Sequence, residues 1–191
     1  MMRHPDTEPA PAHDAADLEV VIGPMKRRHV KSVLRIEQQV YPRPWSMGLF
    51  MSELSFGPTR VYLTARVGPT VVGYGGLMLV PDDGHITTLA VDPAWHRLKV
   101  GTRLLHVLAA EAVERGARNL TLEVRMSNEP AQRLYQRFGF APAGVRKGYY
   151  VESNEDALIM WANDVDAPEY AERLAMLAGT VPGTTRLEEI R

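Results

Sequence analysis

A short basic loop between an apolar run and a helical pattern is the first part of this sequence that could carry chemistry. Within TTLAVDPAWHRLKVGTRLLHVL, residues 87–108, the loop holds His96, Arg97, Lys99 and Gly101. The start of a helix has about four unpaired N–H groups and roughly half a positive charge, so a basic loop that leads into it can bind an anion. A plain strand-to-helix connection with surface basic residues is the alternative reading of this stretch.

Two nucleotide-binding motifs can be tested directly against the chain. The phosphate loop of NTPases needs GxxxxGKS or GxxxxGKT, which is absent. The glycine-rich GYGG at residues 73–76 does not continue into the dinucleotide fingerprint, because position 78 is Met and the segment lies inside a predicted hairpin. Neither motif therefore supports a nucleotide-binding site of these two kinds.

Glu123 and Tyr135 could take part in proton transfer, and each also has an ordinary structural explanation. Alternation in NLTLEVRMS places Glu123 and Arg125 on the face opposite the apolar residues, where they could form an exposed ion pair. Tyr135 belongs to a helical stripe typical of a core: Ala131, Leu134, Tyr135 and Phe138. A buried tyrosine nevertheless needs a partner for its hydroxyl.

The elements that must position these residues alternate between strand and helix. The predicted strands are LEVVIG, RVYLTARV, TVVGYGGLMLV, HITTLAV, NLTLEV, FAPAGVRKGYYV and DALIMWA. The predicted helices lie in KRRHVKSVLRIEQQV, in MGLFMSEL, from Val100 towards Gly116, and from about Glu129 to Phe138. This order predicts an α/β (α+β) fold, with a mixed central sheet of about seven strands and helices on both faces.

Composition divides the chain into three parts. Residues 1–17 are polar and rich in Pro and Ala, which predicts a disordered leader, and residues 18–162 hold the alternating elements. Residues 163–191 form a C-terminal extension in which PEYAERLAMLAG predicts one short helix, with Tyr170, Leu174 and Leu177 on one side. So short a helix is not stable alone, so we expect it to dock on the domain or on a partner, with the last residues loose.

Charge and residue usage exclude several classes of protein. A net charge of -1 over 191 residues gives no bulk attraction to nucleic acid or anionic lipid. The absence of cysteine removes disulfides and thiolate nucleophiles and is compatible with a reducing cytosol. The six histidines show no metal-binding spacing, and no apolar run is long enough for a membrane span. We expect a cytoplasmic protein with no metal, nucleic-acid or membrane partner.

The motifs together resemble a known family. VDPAWHRLKVGTRLL resembles the acyl-CoA loop of the GNAT superfamily of N-acetyltransferases, where Gln or Arg is followed by two residues, Gly, one residue, and Gly or Ala. LEVRMSNEPAQRLYQRFGF and RKGYY resemble the RimI-type branch, the bacterial ribosomal-protein alanine N-acetyltransferases. The resemblance covers residues 19–161 and implies the GNAT fold. His96 and Lys99 depart from the loop pattern, whereas Gly101 matches it.

The resemblance implies that acetyl-CoA is the cosubstrate, with its pyrophosphate on the backbone N–H groups of the loop. Arg97, Lys99 and Arg103 are then expected to supply positive charge, with Lys99 in helical backbone conformation at the helix entrance. Asn128 is expected both to contact CoA and to cap the helix that follows it. The implied cofactor-binding residues are Leu89, Ala90, Val91, Arg97, Leu98, Lys99, Val100, Gly101, Thr102 and Asn128.

The resemblance also implies catalytic roles. Glu123 is expected to act as general base, often through water, because an α-amine with a pKa near 8 is largely protonated at neutral pH. Tyr135 is expected to protonate the departing CoA thiolate. The implied walls of the acceptor groove carry four aromatic residues, which simple packing at loop ends explains equally well: Tyr41, Trp45, Tyr149 and Tyr150.

These inferences predict an N-acetyltransferase that transfers acetyl directly from acetyl-CoA to the N-terminal α-amine of a protein, of the ribosomal-protein alanine type. Because the chain has no cysteine, a thioester between acetyl group and enzyme is excluded. Two alternatives remain open: a GNAT enzyme for a small-molecule amine, and a non-catalytic module that binds acyl-CoA or a partner. The presence of Glu123 and Tyr135 favours catalysis.

Overall fold

The computed structural model describes residues 14–190 and arranges them around one sheet of eight strands. The strands are β1 Glu19–Pro24, β2 Arg60–Val67, β3 Thr70–Val80, β4 Asp83–Val91, β5 Asn119–Arg125, β6 Ala141–Tyr150, β7 Glu155–Ala162 and β8 Thr184–Leu187. The helices are α1 Val30–Val40, α2 Met47–Glu53, α3 Val100–Glu114, α4 Glu129–Arg137 and α5 Pro168–Gly179. Most of the expected leader, residues 1–13, lies outside the described part of the chain.

The strand order is β6-β7-β5-β4-β3-β2-β1-β8, in which β4–β5 and β1–β8 are parallel and the other neighbours antiparallel. This confirms the mixed α/β fold, and all seven predicted strands are present. The eighth strand, β8, lies in the segment that was expected to be loose, and that expectation is wrong. Thr184 pairs with Glu19, so β8 supplies hydrogen-bond partners to the outer edge of β1.

Helices cover both faces of the sheet, as predicted. Successive residues of a strand point to opposite faces, and the core is divided accordingly. Tyr62 of β2 packs in a cluster with residues of α1 and α2, whereas the next residue, Leu63, packs with residues of α3. Each face therefore buries its own set of apolar side chains.

Close approach between β3 and its neighbours explains the glycines of GYGG. A Cβ atom at Gly75 would lie 2.8 Å from Leu108 Cδ1 of α3, and one at Gly76 would lie 2.4 Å from Tyr62 Cε1. Both distances are far inside van der Waals contact. These glycines therefore let α3 and Tyr62 approach the strand from opposite faces, so packing within the chain explains them.

The C-terminal extension is anchored on α3 and β1. The predicted docking of the short helix is confirmed, since Tyr170, Leu174 and Leu177 of α5 are buried. Arg103 of α3 is 2% exposed, and it donates hydrogen bonds to the Thr185 side chain and to the Pro182 carbonyl. Arg103 was expected to supply charge to the loop before α3. It is instead buried, because the extension provides its acceptors.

We predict that Leu177→Ala lowers the free energy of unfolding by about 2–3 kcal/mol, because the residue is 3% exposed and its truncation leaves a cavity. Met176→Ala is the matched control on the same helix. Met176 is 62% exposed, so its truncation should change stability by less than about 0.5 kcal/mol. Urea denaturation of both variants measures the difference. Equal values for the two would mean that α5 does not dock.

Candidate active site

The site begins where β4 and β5 stop pairing. Their parallel ladder has three pairs, Asp83–Asn119, Gly84–Leu120 and His85–Thr121, and it ends there. Beyond the last pair, residues of β4 and of β5 line the two sides of one cavity of about 470 Å³. The sheet therefore opens at its centre, and strand backbone on both sides is left available to a ligand.

The cavity brings eight of the predicted site residues together: Tyr41, Trp45, Leu89, Glu123, Asn128, Tyr135, Tyr149 and Tyr150. The other eight lie outside its lining, in the last residues of β4 and in the loop and first turn before and within α3: Ala90, Val91, Arg97, Leu98, Lys99, Val100, Gly101 and Thr102. The proposed chemistry thus concentrates in the cavity, and the expected phosphate-binding loop forms a separate feature.

Glu123 lies at the mouth of the gap and does not pair with Arg125. Its carboxylate accepts a hydrogen bond from His85 Nε2 at 3.2 Å and lies 3.1 Å from Arg146 Nη1. The His85 hydrogen bond, and behind it the charge of Arg146, hold the pKa of Glu123 below its usual range although burial opposes them. Glu123 is therefore an ionised carboxylate fixed at one position.

Sequence reasoning missed His85. It belongs to the last β4–β5 pair and lines the cavity beside Glu123. In the sequence it is one histidine in an ordinary strand, and only the pairing of two strands that are distant along the chain places it against Glu123. Because His85 Nε2 donates to Glu123, the second ring nitrogen is left free to accept a proton.

Tyr135 presents a protonated hydroxyl to the same cavity. The helical stripe predicted for α4 is confirmed by burial, with Phe138 fully buried and Tyr135 8% exposed. Asn128 caps α4 as predicted, its side chain accepting from Ala131 N at 3.2 Å. Burial raises the pKa of Tyr135 well above its usual value, and the neighbouring Tyr41 and Tyr150 raise it further. The hydroxyl therefore keeps its proton at neutral pH.

One wall of the cavity is the segment between α1 and α2. The Tyr41 hydroxyl donates to the Leu89 carbonyl at 3.1 Å, so the ring reaches across to β4. The Trp45 ring packs on Phe50 with centroids 5.2 Å apart. Contacts to β4 and to Phe50 therefore fix Tyr41 and Trp45, and the two rings form one wall of the cavity.

The opposite wall is the end of β6 and the turn into β7, and Arg125 fixes it. Arg125 contacts Glu152 at 2.5 Å and Glu155 at 3.2 Å, and its guanidinium lies 3.8 Å from the centroid of the Tyr150 ring. Tyr149 packs edge-on against Tyr150. Arg125 therefore joins the end of β5 to this turn, and the alternative in which it pairs with Glu123 is not what the structure shows.

The loop before α3 has an unusual backbone. Lys99, the residue preceding the helix, has φ 62° and ψ 16°, and Arg97 has φ 67°. The expectation that Lys99 is helical is therefore wrong. Left-handed residues let the chain reverse into α3 within a few positions, at a cost of about 1–2 kcal/mol for a residue with a Cβ atom.

The start of α3 carries no side-chain cap, in contrast to α2 and α4, which Ser46 and Asn128 cap. Its first amides are therefore open to an anion. A Cβ atom at Gly101 would lie 3.6 Å from Val91 Cγ2, an ordinary contact, so packing within the chain does not require glycine there. Close approach of a ligand to the backbone at this position is the explanation for glycine that remains.

Residues 30–140 match the family model described as Acetyltransferase (GNAT) family, and the match spans more than half of the chain. The chain therefore belongs to this family of acetyltransferases, whose acetyl donor is acetyl-CoA. Within residues 14–190, no group of three or more His, Asp or Glu side chains is placed to hold a metal ion. No helix in the same range is long and apolar enough to cross a membrane.

Relatives in the family include two bacterial enzymes. The chain is 37% identical to N-alpha-acetyltransferase RimI of Mycobacterium tuberculosis over 152 residues, 76% of this chain and 94% of that protein. It is 33% identical to the ribosomal protein bS18-alanine N-acetyltransferase of Escherichia coli K12 over 141 residues, 73% and 94% of the two. The crystal structure of the ribosomal-protein-S18-alanine N-acetyltransferase from Escherichia coli matches with a TM-score of 0.71 at 31% identity, covering 78% and 97% of the two chains.

We predict that Lys99→Gly raises the free energy of unfolding by up to about 1 kcal/mol, because glycine adopts the left-handed conformation without a Cβ clash. Lys99→Ala is the matched control, since it retains the Cβ atom. Chemical denaturation compares the two, and equal stabilities would show that the conformation carries no strain. Both variants remove the ammonium, so an equal loss of acetyl-CoA affinity in both, smaller at high salt, would identify a phosphate contact.

Proposed function

We propose that this protein acetylates the N-terminal α-amine of a protein, of the ribosomal-protein alanine type, with acetyl-CoA as donor. The observation that carries the proposal is the cavity at the β4–β5 gap. It holds an ionised carboxylate, a histidine and a protonated tyrosine between two aromatic walls. The names of the relatives support the choice of acceptor. We assign catalysis to residues 18–162, with residues 163–191 as an extension that supports them.

The donor fits the open side of β4 and the start of α3. Acetyl-CoA, when bound, supplies an acetyl group on a thioester. The uncapped amides from Leu98 to Thr102 and the basic side chains of Arg97 and Lys99 suit its pyrophosphate. Strand backbone around Leu89, together with Asn128, suits the remainder of the donor. Ala90, Val91 and Val100 are largely buried, so they would act through backbone groups and by shaping the site.

Proton transfer assigns distinct roles to the polar residues of the cavity. The acceptor ammonium first gives one proton to the base, which passes it to solvent. The acceptor nitrogen then forms a bond to the acetyl carbon, the C–S bond breaks with a proton delivered to sulfur, and the second proton lost from nitrogen replaces the one that the acid has given. Glu123 alone is a weak base, because His85 and Arg146 lower its pKa. We assign base function to Glu123 and His85 as a pair, with the imidazole or a water beside it receiving the proton. Tyr135 donates to the thiolate.

The acceptor enters between the two aromatic walls. Tyr41 and Trp45 form one side, and Tyr149 and Tyr150 form the other. An opening with walls on two sides suits an extended chain end, whose following residues can continue outward between them. The name of the Escherichia coli relative points to a ribosomal protein as acceptor, and we place the reaction in the cytoplasm, where ribosomal proteins are made.

We predict that Glu123→Gln lowers kcat by at least about 100-fold and changes the KM for acetyl-CoA little, because a base is lost while shape is kept. His85→Gln should have a similar effect. If the two act as one unit, the double variant is no slower than the slower single variant. Steady-state rates from pH 6 to 9 measure this, and fully additive losses would separate the two roles.

Tyr135→Phe should also lower kcat while leaving acetyl-CoA binding intact.

Acetyl transfer to a peptide panel tests the function itself. Peptides with free N-terminal alanine should be acetylated, whereas N-terminally blocked peptides that contain an internal lysine should not. A polyamine and an aminoglycoside test the small-molecule alternative. Mass spectrometry locates the added acetyl group. Turnover of the small amines without turnover of any peptide would reject the proposal, and acetyl-CoA binding without any turnover would favour the non-catalytic alternative.

A further inference from the structure

Glu37 is a buried acid beside the segment between α1 and α2 that forms one wall of the acceptor groove. The mechanism assigns no role to this acid. It lies on α1, is 1% exposed and borders the cavity. One carboxylate oxygen accepts from Trp45 N at 2.7 Å, and the other accepts from the Tyr74 hydroxyl of β3. No cationic side chain among residues 14–190 forms an ion pair with it.

Both ends of the wall segment are tied to this one residue. The Tyr41 N–H donates to the main-chain carbonyl of Glu37 at 2.8 Å, and the Trp45 N–H donates to its carboxylate. Between them lie Pro42 and Pro44, which have no N–H to donate. The segment therefore has few hydrogen bonds of its own. The Leu89 carbonyl fixes the Tyr41 ring, and the Glu37 side chain supplies the bond that fixes the backbone of Trp45.

We propose that Glu37 is a positioning residue for the acceptor: its side chain holds Trp45 in the geometry that, together with Tyr41, binds the peptide N-terminus. The inference rests on the proposed function, because it takes this groove to be the acceptor site. Glu37 touches neither reacting atom in this scheme. Its loss weakens peptide binding and leaves the donor site unchanged.

The hydrogen bond that fixes Trp45 needs an acceptor oxygen on the side chain of residue 37, and it does not need a negative charge there. Burial raises the pKa of Glu37 to about 7, so both protonation states occur near neutral pH. In the neutral form the carbonyl oxygen still accepts from Trp45 N–H, while the O–H can donate to the Tyr74 oxygen. Glutamine has the same two capacities. Glu37→Gln should therefore retain the wall, whereas an apolar residue of similar size should not.

The test compares Glu37→Leu, Glu37→Gln and the matched control Glu53→Leu. Glu53 also accepts from a sheet tyrosine, Tyr62, and from Arg60, but it makes no bond to the wall segment. Removing the acceptor of a partly buried N–H should raise the peptide KM of Glu37→Leu about tenfold, with an unchanged KM for acetyl-CoA. Glu37→Gln and Glu53→Leu should keep the wild-type peptide KM.

Hydrogen exchange of the Trp45 amide gives a readout that needs no activity. Exchange should accelerate in Glu37→Leu alone. Wild-type peptide KM and wild-type amide protection in that variant would overturn the inference, as would an equal rise in peptide KM for Glu53→Leu. If the wild-type protein acetylates no peptide, the proposed function fails and the amide exchange still decides whether Glu37 holds the wall.

A shorter side chain provides the second variant should Glu37→Leu not fold. Glu37→Asn keeps an amide in the site but places it one methylene short of Trp45 N. The expected result is the same, a raised peptide KM with faster exchange at Trp45. Wild-type values for both measurements in Glu37→Asn would overturn the inference.

Discussion

The early end of the β4–β5 ladder is the constraint on which the rest of the molecule depends. A parallel pair that stops after three residues leaves N–H and C=O groups in the middle of a sheet, and such groups must find partners. The Tyr41 hydroxyl satisfies one of them at the Leu89 carbonyl. Where the cavity separates the two strands, a bound molecule can complete the sheet in place of the protein. His85 and Glu123 meet at this point because it is where the two strands last touch.

Two carboxylates at one cavity have opposite environments. Glu123 is hydrogen-bonded by His85 and lies beside Arg146, so its charge is supported and its pKa is lowered. Glu37 has two hydrogen-bond donors and, within residues 14–190, no cation paired with it, so burial dominates and its pKa is raised. The difference lies in the neighbours and not in the residue type. It separates a carboxylate that stays charged beside His85 from one that can accept from backbone N–H in either protonation state.

Periodicity in the sequence was sufficient for most of the fold. Alternation identified β5, the apolar stripe identified α3, and Asn128 marked the start of α4, because each signal depends on residues close together in the chain. The motifs that resemble the family identified Glu123 and Tyr135, which the structure places at one cavity. Patterns among residues close together in the chain were therefore enough to predict the helices and strands and to identify Glu123 and Tyr135 as candidates.

What escaped prediction depends on distant pairings. His85 acquires its partner across β4 and β5, and Arg103 reads as a surface residue until the extension supplies its acceptors. The tight reversal into α3 sets the positive φ of Lys99, and a lysine at this position does not indicate such a backbone conformation. The strand β8 is four exposed residues with no alternation, so its pairing with β1 leaves no local signal.

That last pairing has a consequence for the order in which the chain can fold. Among residues 14–190, β1 is the first strand and β8 the last, so their pairing joins Glu19 and Thr184, which are far apart along the chain. During synthesis the central strands and α3 can assemble while β1 still shows an open edge and Arg103 still lacks its acceptors. Closing so large a loop is slow relative to local steps. Completion of the sheet at the outer edge of β1 therefore waits until Thr184–Leu187 has been synthesised.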